Sequence, residues 1–482
     1  MDHDFDKMYI DGEWVAPSSP GSRPLINPAT EEPWATVATG GGVEDVDRAV
    51  AAAKRAFGEF SRTSVQDRID LIDRIIAAYE RRGADLSALI ADEVGIPISF
   101  KGQVTSSPGH MRVARDVIRD YAFERQLDGT ILRREPIGVC GLISPWNWPI
   151  QTSVIKVIYG IAAGCTMVLK PSDASPASGV ALAEIMHEAG TPSGVFNLVI
   201  GRGSVVGDRL SRHPDVDLIS FTGSTSAGRQ VGEAAAQTVK RTCLELGGKS
   251  ANIVLTDGDL KKAAQFNIAR GFSNSGQSCH APSRLLVHES QVDEILSHLV
   301  DAIDSMTVGD PHDPNTTHGP LVHAQQFNSV QRHIEIGLQE GGQLITGGPG
   351  RVDGFDRGFY CKPTVLAGVT PDMTLASEEI FGPVLVVMPY RTENQALEIA
   401  NDSIFGLGGY VFSEDRKRGY EFASGIRAGR ICFNGSNANQ TTPMGGYKES
   451  GVGRSMGVYG LEEYLEIKSI YGFEGEASTL PF

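Results

Sequence analysis

The chain has 482 residues, which is too long for one compact core and predicts two or three domains. It carries 59 acidic against 43 basic residues, for a formal net charge of −16, and an acidic surface argues against nucleic acid or an anionic membrane as the main partner. Its apolar stretches are short and interrupted by Gly, Pro or charge, which predicts no membrane span.

The first segments predict a strand followed by helices. MYIDGEWV has the pattern of a strand with a turn at Asp11-Gly12. In VQDRIDLIDRIIAAYERR, apolar residues recur at spacings of three and four, which predicts one buried helical face formed by Ile69, Ile72, Ile76 and Tyr79. Further on, RQLDGTILRREPIG contains an Asp-Gly turn and predicts a β-hairpin.

From Gly138 onward, short apolar runs alternate with amphipathic stretches. GVCGLIS, TMVLKPS, FNLVIG and DLISFTGS predict the strands of a parallel, doubly wound sheet covered by helices on both faces. A second series begins at ANIVLT and continues through SRLLVHES, PVLVVMPY, GGYVFS and GRICFN, so we expect a second α/β domain with its boundary near LELGGKS. The tail EYLEIKSIYGFEGE predicts a strand that joins the hairpin, and both pieces are expected to pack on another subunit.

The six cysteines are far apart and form no C-x-x-C pair, which predicts reduced thiols, no zinc site and a cytoplasmic location. Most lie in apolar runs, where a buried, inert thiol is expected. Cys279 differs, because small and polar residues surround it in SNSGQSCHAPSR. It is therefore a candidate nucleophile for a carbonyl substrate, although an isolated cysteine is more often part of a core.

Two further segments offer groups that could assist such a nucleophile. In LELGGKS, Glu245 lies among apolar neighbours, which raise the pKa of a carboxyl group toward that of a general base, and a salt-bridged strand end is the alternative. In SPWNWPI, Asn147 lies between two tryptophans before a helix, where its amide could donate to an oxyanion or serve only as a turn residue.

Three segments favour a nucleotide, and each is weak by itself. FTGSTSAGR places Gly223 and Gly228 at a strand-to-helix junction, where backbone donors favour a pyrophosphate. VLKPSD offers Lys170 and Asp173 to ribose hydroxyls, with a solvated surface pair as the alternative. EEIFGP supplies Glu379 and Phe381 from the second domain, unless it is simply a capped helix end.

Together, PWNWP, KPSD, FTGSTSAGR, LELGGKS, GQSCHAPSR, EEIFGP and PMGGYKESGVGR occur in the order found in the aldehyde dehydrogenase superfamily, which the chain resembles over nearly its whole length. The resemblance implies an α/β fold with a Rossmann-type cofactor domain (1–119 and 139–246), an α/β catalytic domain (247–447) and a small β oligomerisation element (120–138 and 448–482). It also implies a homodimer or homotetramer.

The resemblance implies a role for each candidate residue. Cys279 would be the nucleophile, Glu245 the base that activates the deacylating water, Asn147 the oxyanion donor and Lys156 a lysine linked to proton transfer. The cofactor contacts would be Ser144, Trp146, Lys170, Ser172, Asp173, Gly203, Gly223, Ser224, Gly228, Leu246, Glu379 and Phe381. The substrate tunnel would be lined by Trp148, Thr152, Ile155, His280, Asn437 and Met444.

Three positions depart from the family pattern. Asp173 stands where many members have Glu, so we expect NAD to be preferred while NADP is still accepted. Ser455 stands where many have Glu, which argues against a proton relay from Glu245 through Lys156 to that position. His280 follows the nucleophile directly, and because consecutive side chains usually diverge, it is interpreted as a tunnel residue and not as part of a Cys-His dyad.

The expected reaction is the oxidation of a small-molecule aldehyde to a carboxylic acid without a metal. The alternatives are a CoA-acylating semialdehyde dehydrogenase, which usually lacks the base, a catalytically silent protein of the same fold, and a cysteine hydrolase. The substrate remains open. Because NGSNANQTT and SNSGQSC contain no arginine, the sequence gives no indication of a carboxylate clamp.

Overall fold

The computed structural model describes residues 4–472. Two large sheets dominate it, and two sheets of three strands each lie beside them. Helices pack on both faces of each large sheet and form four buried apolar clusters. None of the helices within residues 4–472 combines the length and apolar character needed to cross a bilayer.

The first large sheet has eight strands, of which the central five are parallel and fully buried on both faces except at one end. In spatial order the strands are β20 (Gly451–Val452), β12 (Arg241–Glu245), β11 (Leu218–Thr222), β8 (Val139–Ile143), β9 (Thr166–Lys170), β10 (Phe196–Leu198), β2 (Met8–Ile10) and β3 (Glu13–Val15). The chain runs outward from β8 through β9 to β10 and returns to β11 on the other side of β8. This reversal creates a crevice at the carboxyl end of β8, where ligands bind in such sheets.

Helices of the first part cover this sheet and confirm the predicted amphipathic segment. The four apolar residues expected on one face of α2 are all buried. The helices are α1 (Val43–Phe60), α2 (Val65–Arg81), α3 (Gly83–Val94), α4 (Gly102–Asp120), α5 (Pro149–Ala163), α6 (Pro176–Glu188), α7 (Asp208–Arg212) and α8 (Thr225–Ala236).

The second large sheet contains the second predicted series of strands. In spatial order they are β15 (Gln343–Thr346), β16 (Thr364–Ala367), β17 (Val384–Tyr390), β14 (Arg284–His288), β13 (Ala251–Val254), β18 (Gly408–Phe412) and β19 (Arg430–Phe433), all parallel except β15. The helices around it are α9 (Leu260–Gly271), α10 (Val292–Asp304), α11 (Ala324–Gln339), α12 (Thr374–Ser377), α13 (Glu393–Asn401) and α14 (Arg416–Ser424).

The predicted hairpin consists of β6 (Glu124–Leu127) and β7 (Thr130–Pro136), joined by a turn with positive φ at Asp128 and Gly129. As predicted, the tail strand β21 (Leu465–Ile470) pairs antiparallel with β7. It follows α15 (Gly457–Glu462). The last part of the predicted oligomerisation element, 473–482, lies outside the described residues.

Two features differ from the predicted organisation. β20 lies within the segment assigned to oligomerisation, yet it pairs antiparallel with β12 and extends the first large sheet, because the outer edge of β12 offers it backbone partners. Near the amino terminus, β1 (Asp4–Phe5), β4 (Ser22–Ile26) and β5 (Pro33–Ala38) form a small sheet of their own. The domain limits inferred from sequence therefore stay predictions, with Gly451–Val452 belonging to the first sheet.

Candidate active site

Cys279 lies in an irregular segment between α9 and β14. α9 ends at Gly271, and a 3-10 turn follows in which Asn274 and Ser275 have φ values of 51° and 54°. Such positive φ values are uncommon in residues other than glycine and indicate a backbone held by its surroundings. Cys279 is half-buried, whereas the other five cysteines are buried, and none of the six forms a disulfide.

The two glycines of LELGGKS bring three functional segments together. A Cβ atom on Gly248 would lie 2.2 Å from the carbonyl oxygen of Cys279, and one on Gly247 would lie 2.4 Å from Oε2 of Glu379. Any larger residue would collide at both positions. The backbone that follows Glu245 therefore passes between the candidate nucleophile and the acidic side chain from the second domain.

The thiol of Cys279 is surrounded by groups that favour its neutral form. Burial, together with the negative charges of Glu379 and Glu245, raises its pKa to about 12. The side chain of His280 does not diverge as expected, since its Nδ1 lies 3.9 Å from Sγ of Cys279. That distance is too long for direct proton transfer, and burial lowers the pKa of His280 well below its usual value. The structure therefore contains no Cys-His ion pair.

Asn147 is connected to the nucleophile segment by two hydrogen bonds. Its Nδ2 donates to the carbonyl oxygen of Gln277 at 3.0 Å, and its own carbonyl accepts from Nδ2 of Asn274 at 2.8 Å. The amide nitrogen carries two protons, so one remains to donate to an oxyanion. Gln277 is itself fixed, because its Oε1 accepts from the amide N–H of Val322.

Glu245 is the last residue of β12 and is buried, as its apolar neighbours predict. Burial raises the pKa of its carboxyl group. Its Oε1 accepts a hydrogen bond from Oγ of Ser455 at 2.9 Å, whereas its Oε2 has no partner within residues 4–472. The salt-bridged alternative is thus replaced by a hydrogen bond to a neutral hydroxyl, which leaves one oxygen available to a water.

Lys156 projects from α5 toward the same buried region. Its Nζ donates to Oγ of Ser220 on β11 at 2.8 Å, and burial lowers its pKa to about 8. The charges of Lys156 and Glu245 interact, since each shifts the pKa of the other toward the ionised form. Lys156 can therefore influence the protonation of Glu245, although it forms no direct hydrogen bond with it.

The expected tunnel residues occupy a half-buried face of α5 and two loops. Trp148, Thr152 and Ile155 are half-buried, whereas most of α5 is buried. The indole Nε1 of Trp148 donates to Oγ of Ser278 at 3.2 Å, which links this face to the residue before Cys279. Asn437 lies in an exposed loop, and Met444 lines a small cavity with His280.

Three of the candidate cofactor residues line a cleft of about 480 Å³ at the carboxyl edge of the first sheet. Trp146, Ser172 and Asp173 line it from the first sheet, and His323 lines it from the second. The ring of Trp146 packs against Phe381 with centroids 5.3 Å apart. Residues from both halves of the molecule thus meet where the strand order predicts a ligand.

Lys170 and Asp173 form an ion pair with Nζ and Oδ1 2.6 Å apart. The other carboxylate oxygen of Asp173 accepts from the amide N–H of Gly203 at 3.3 Å, at the start of a short π-helix. Ser172 uses its hydroxyl to accept from the backbone N–H of Ala174. The pair expected to hold a ribose is therefore in place, with its charges satisfied by each other.

The backbone groups expected to bind a pyrophosphate need correction. The N–H of Gly223 donates to the carbonyl of Glu245, and the N–H of Gly228 donates to the carbonyl of Ser224 inside α8, so neither is available to a ligand. Gly228 instead allows close packing, because a Cβ there would lie 2.4 Å from Leu246. The hydroxyl of Ser224 caps α8 by accepting from Ala227. The first turn of α8 remains the source of donors.

Two charged side chains lie at the connection that follows Glu245. Oε1 of Glu379 accepts from the amide N–H of Gly248 at 2.8 Å, and burial raises the pKa of Glu379 to about 7. Lys249 was not predicted from the sequence. Its Nζ is buried and has no hydrogen-bond partner among the described residues, and burial lowers its pKa to about 7. Ser144, at the end of β8, accepts from Ser153.

These groups fit a dinucleotide. The cleft provides the ring of Trp146 and the carboxylate of Asp173 near the strand-order reversal. Glu379, Lys249 and the first turn of α8 are further groups that could hold parts of the cofactor. Within residues 4–472, no group of three or more His, Cys, Asp or Glu side chains is arranged to hold a metal ion.

Comparison with known proteins agrees with this geometry. The model of the aldehyde dehydrogenase family matches residues 14–470. The 3-succinoylsemialdehyde-pyridine dehydrogenase of a Pseudomonas species is 48% identical over 476 residues, which cover 98% of this chain and 99% of that protein.

Solved structures give the same result. A mutant of aldehyde dehydrogenase C from Pseudomonas syringae, in complex with NAD+ and octanal, has a TM-score of 0.96 and 47% identity, with 98% of both chains covered. The betaine aldehyde dehydrogenase of Staphylococcus aureus, in complex with NAD+, has a TM-score of 0.94 and 34% identity, covering 97% of this chain and 94% of that one. The chain therefore belongs to the aldehyde dehydrogenase family.

Proposed function

We propose that the protein oxidises an aldehyde to the carboxylic acid with NAD, using Cys279 as nucleophile and Glu245 as base. The observation that carries the proposal is the close approach of Gly247 to Glu379 and of Gly248 to Cys279. Because both glycines follow Glu245 closely in the chain, they bring the base, the thiol and Glu379, a candidate cofactor contact, close together. Family membership and the NAD+ complexes of two similar structures support the choice of cofactor.

The side chains act in sequence. The thiol of Cys279 loses its proton to solvent water, and the thiolate attacks the aldehyde carbon to form a thiohemiacetal, whose oxyanion accepts hydrogen bonds from Nδ2 of Asn147 and the N–H of Cys279. NAD, when bound, supplies the hydride acceptor that the conversion to a thioester requires. Glu245 then removes a proton from water through its unpartnered Oε2, and the hydroxide releases the carboxylic acid from Cys279.

The residues of the cleft orient the cofactor. Lys170 and Asp173 would bind the adenosine ribose, the first turn of α8 after Ser224 the pyrophosphate, and Glu379 the nicotinamide ribose. Trp146 and Phe381 would limit the access of water from the side of the cleft, since their rings pack against each other. Lys156 would favour the ionised form of Glu245 through their mutual electrostatic interaction.

The alternative reactions are less well supported. A CoA-acylating enzyme has no need of a buried carboxylate with an oxygen available to water, and Glu245 offers that oxygen. A catalytically silent protein would not require Cys279, Asn147 and Glu245 to converge. A cysteine hydrolase would not require the dinucleotide-sized cleft at the carboxyl edge of the first sheet.

We also propose a homodimer or homotetramer that functions in the cytoplasm. The oligomer is supported by β6, β7 and β21, whose sheet exposes Leu127, Ile467 and Tyr471. The location is supported by six cysteines without a disulfide, five of them buried.

The test is the substitution Cys279→Ala. Aldehyde-dependent NADH formation should fall by more than about a thousandfold, since the covalent route is lost, whereas NAD binding measured by fluorescence quenching should change little. Cys361→Ala serves as the control, because that thiol hydrogen-bonds to Gln331 away from the cleft. Turnover of Cys279→Ala within tenfold of the parent would refute the assignment.

A further inference from the structure

We infer that the protein prefers aldehydes whose chain carries a carboxylate or another acceptor oxygen, and that Arg270 and Arg430 bind this oxygen beside Cys279. The inference rests on the proposed aldehyde oxidation and names the substrate class of that site.

The two arginines reach the site from separate elements. Arg270 lies near the end of α9 and Arg430 is the first residue of β19, yet both line one small cavity together with His280 and Met444. His280 is adjacent to the nucleophile, with its Nδ1 3.9 Å from Sγ of Cys279. The cavity is therefore lined by the residue that directly follows the reacting cysteine.

The positive charges at this cavity are not neutralised by the protein. Nη2 of Arg430 is buried and has no hydrogen-bond partner, and neither guanidinium forms an ion pair with a carboxylate within residues 4–472. This is notable in a chain with 59 acidic and 43 basic residues. Buried hydrogen-bond donors are normally paired, so an acceptor from outside the chain would complete the site at Nη2 of Arg430.

The fields of both arginines reach the catalytic groups. Arg270 lowers the pKa of Cys279, and Arg430 lowers the pKa of Glu245. Both also contribute to the lowered pKa of His280, which keeps that ring neutral and able to accept or donate a single proton. We therefore expect the anionic group bound here and the carbonyl attacked by Cys279 to belong to one substrate molecule.

The shape of the cavity selects a small group. Its interior of about 10 Å³ is the space of about one water molecule. It can admit one oxygen of a carboxylate or a ketone, but no aromatic ring. The wall opposite His280 is formed by Tyr410, whose hydroxyl donates to the carbonyl oxygen of His280 at 2.7 Å and fixes that residue.

This cavity was not predicted from the sequence, because the expectation of no carboxylate clamp was based only on NGSNANQTT and SNSGQSC. Arg270 lies at the end of α9, before the segment SNSGQSC. Arg430 is the first residue of β19, which precedes the loop NGSNANQTT. Only the packing of β18 between β13 and β19 brings the two guanidiniums to one cavity.

The experiment compares three aldehydes of similar length: succinic semialdehyde, which carries a carboxylate, 4-oxopentanal, which carries a ketone, and pentanal, which carries neither. kcat/KM is measured for the parent, Arg430→Gln, Arg430→Lys and Arg270→Gln. The matched control is Arg427→Gln, an exposed arginine just before β19. Because the kcat/KM values for the three aldehydes are compared within each variant, a loss of activity that affects all three equally does not change their ratios.

The parent should favour succinic semialdehyde over pentanal by at least about tenfold. Arg430→Gln and Arg270→Gln should each remove most of this preference, measured as the ratio of kcat/KM for succinic semialdehyde to kcat/KM for pentanal. Arg430→Lys should restore part of it, and Arg427→Gln should leave it intact. If 4-oxopentanal is also preferred over pentanal, any acceptor oxygen is sufficient for recognition. If only succinic semialdehyde is preferred, the site recognises a carboxylate.

A second readout does not depend on turnover. Succinate should slow the alkylation of Cys279 by iodoacetamide in the parent, and Arg430→Gln should abolish that protection. Equal kcat/KM for all three aldehydes in the parent, or equal losses for all three in Arg430→Gln, would overturn the inference. If no aldehyde is oxidised, the proposed function fails, and the presence or absence of protection by succinate still decides the anion site.

Discussion

At the scale of single residues, Glu245 is distinguished by the unequal environments of its two oxygens. Oε1 is fixed by the hydroxyl of Ser455 at 2.9 Å, and Oε2 is buried without a partner among the described residues. Ser455 thus acts as a positioning residue for the base, in the place where many family members have an acidic side chain. A proton relay from Glu245 through Lys156 to this position, against which the sequence argues, would have no acidic side chain at its end.

Ser455→Ala should move the acidic limb of the kcat profile to higher pH. Glu245 must be deprotonated to act as a base, and the hydrogen bond from Ser455 lowers its pKa, so loss of the hydroxyl raises the pKa above its already elevated value. The unpaired Oε1 should also cost about 1–3 kcal/mol of unfolding free energy. The measurement is kcat against pH.

Ser455→Thr keeps the hydroxyl and provides the control, so its acidic limb should match that of the parent. An acidic limb that stays in place in Ser455→Ala would show that the hydroxyl does not influence the base.

Asp173 should favour NAD over NADP by about tenfold to a hundredfold, which corresponds to a net ~1.4 to 2.8 kcal/mol. Its carboxylate would repel a 2′-phosphate, but its ion pair with Lys170 offsets part of that repulsion. Asp173→Ala should therefore raise kcat/KM for NADP relative to NAD, because Lys170 becomes free to bind the phosphate. An equal ratio in parent and variant would show that Asp173 does not select the cofactor.

At the scale of elements, the parallel strands were predictable because both faces of a buried strand must be apolar, as in GVCGLIS and PVLVVMPY. The hairpin was predictable from its Asp-Gly turn. β20 was not, since two residues have no periodicity and their pairing depends on the edge that β12 leaves open. Likewise, the donors expected at Gly223 and Gly228 were wrong because both N–H groups already bond to backbone carbonyls.

The exposed face of β21 should form part of a subunit interface. Ile467 on this strand is 58% exposed, and burying one such side chain from each of two subunits contributes about 3 kcal/mol or more to association. Ile467→Asp should therefore weaken assembly by more than about a hundredfold, as measured by light scattering over a concentration series.

Tyr420→Asp is the control, because Tyr420 is also exposed but lies on α14, away from β21. A parent protein that is already a monomer, or an Ile467→Asp variant that keeps the parent's mass, would contradict the proposed interface.

At the scale of the whole molecule, the active site exists only where the two large sheets meet. Glu245 ends β12 of the first sheet, Cys279 precedes β14 of the second, and Gly247 and Gly248 form the connection between them. Glu245, Cys279 and the two glycines were identified from the order of the motifs along the chain, because each motif is a short segment whose residues act locally. Lys249, Arg270 and Arg430 were not identified, because their environment depends on packing between distant elements.

The central claim, that acyl transfer through Cys279 is completed by Glu245, is tested most directly by intact-mass measurement of Glu245→Gln mixed with aldehyde and NAD. An amide cannot accept the proton of the attacking water, so the acyl group should remain on Cys279 and increase the mass of the chain by that of the acyl group after one equivalent of NADH has formed. An unmodified chain that continues to turn over would contradict the account.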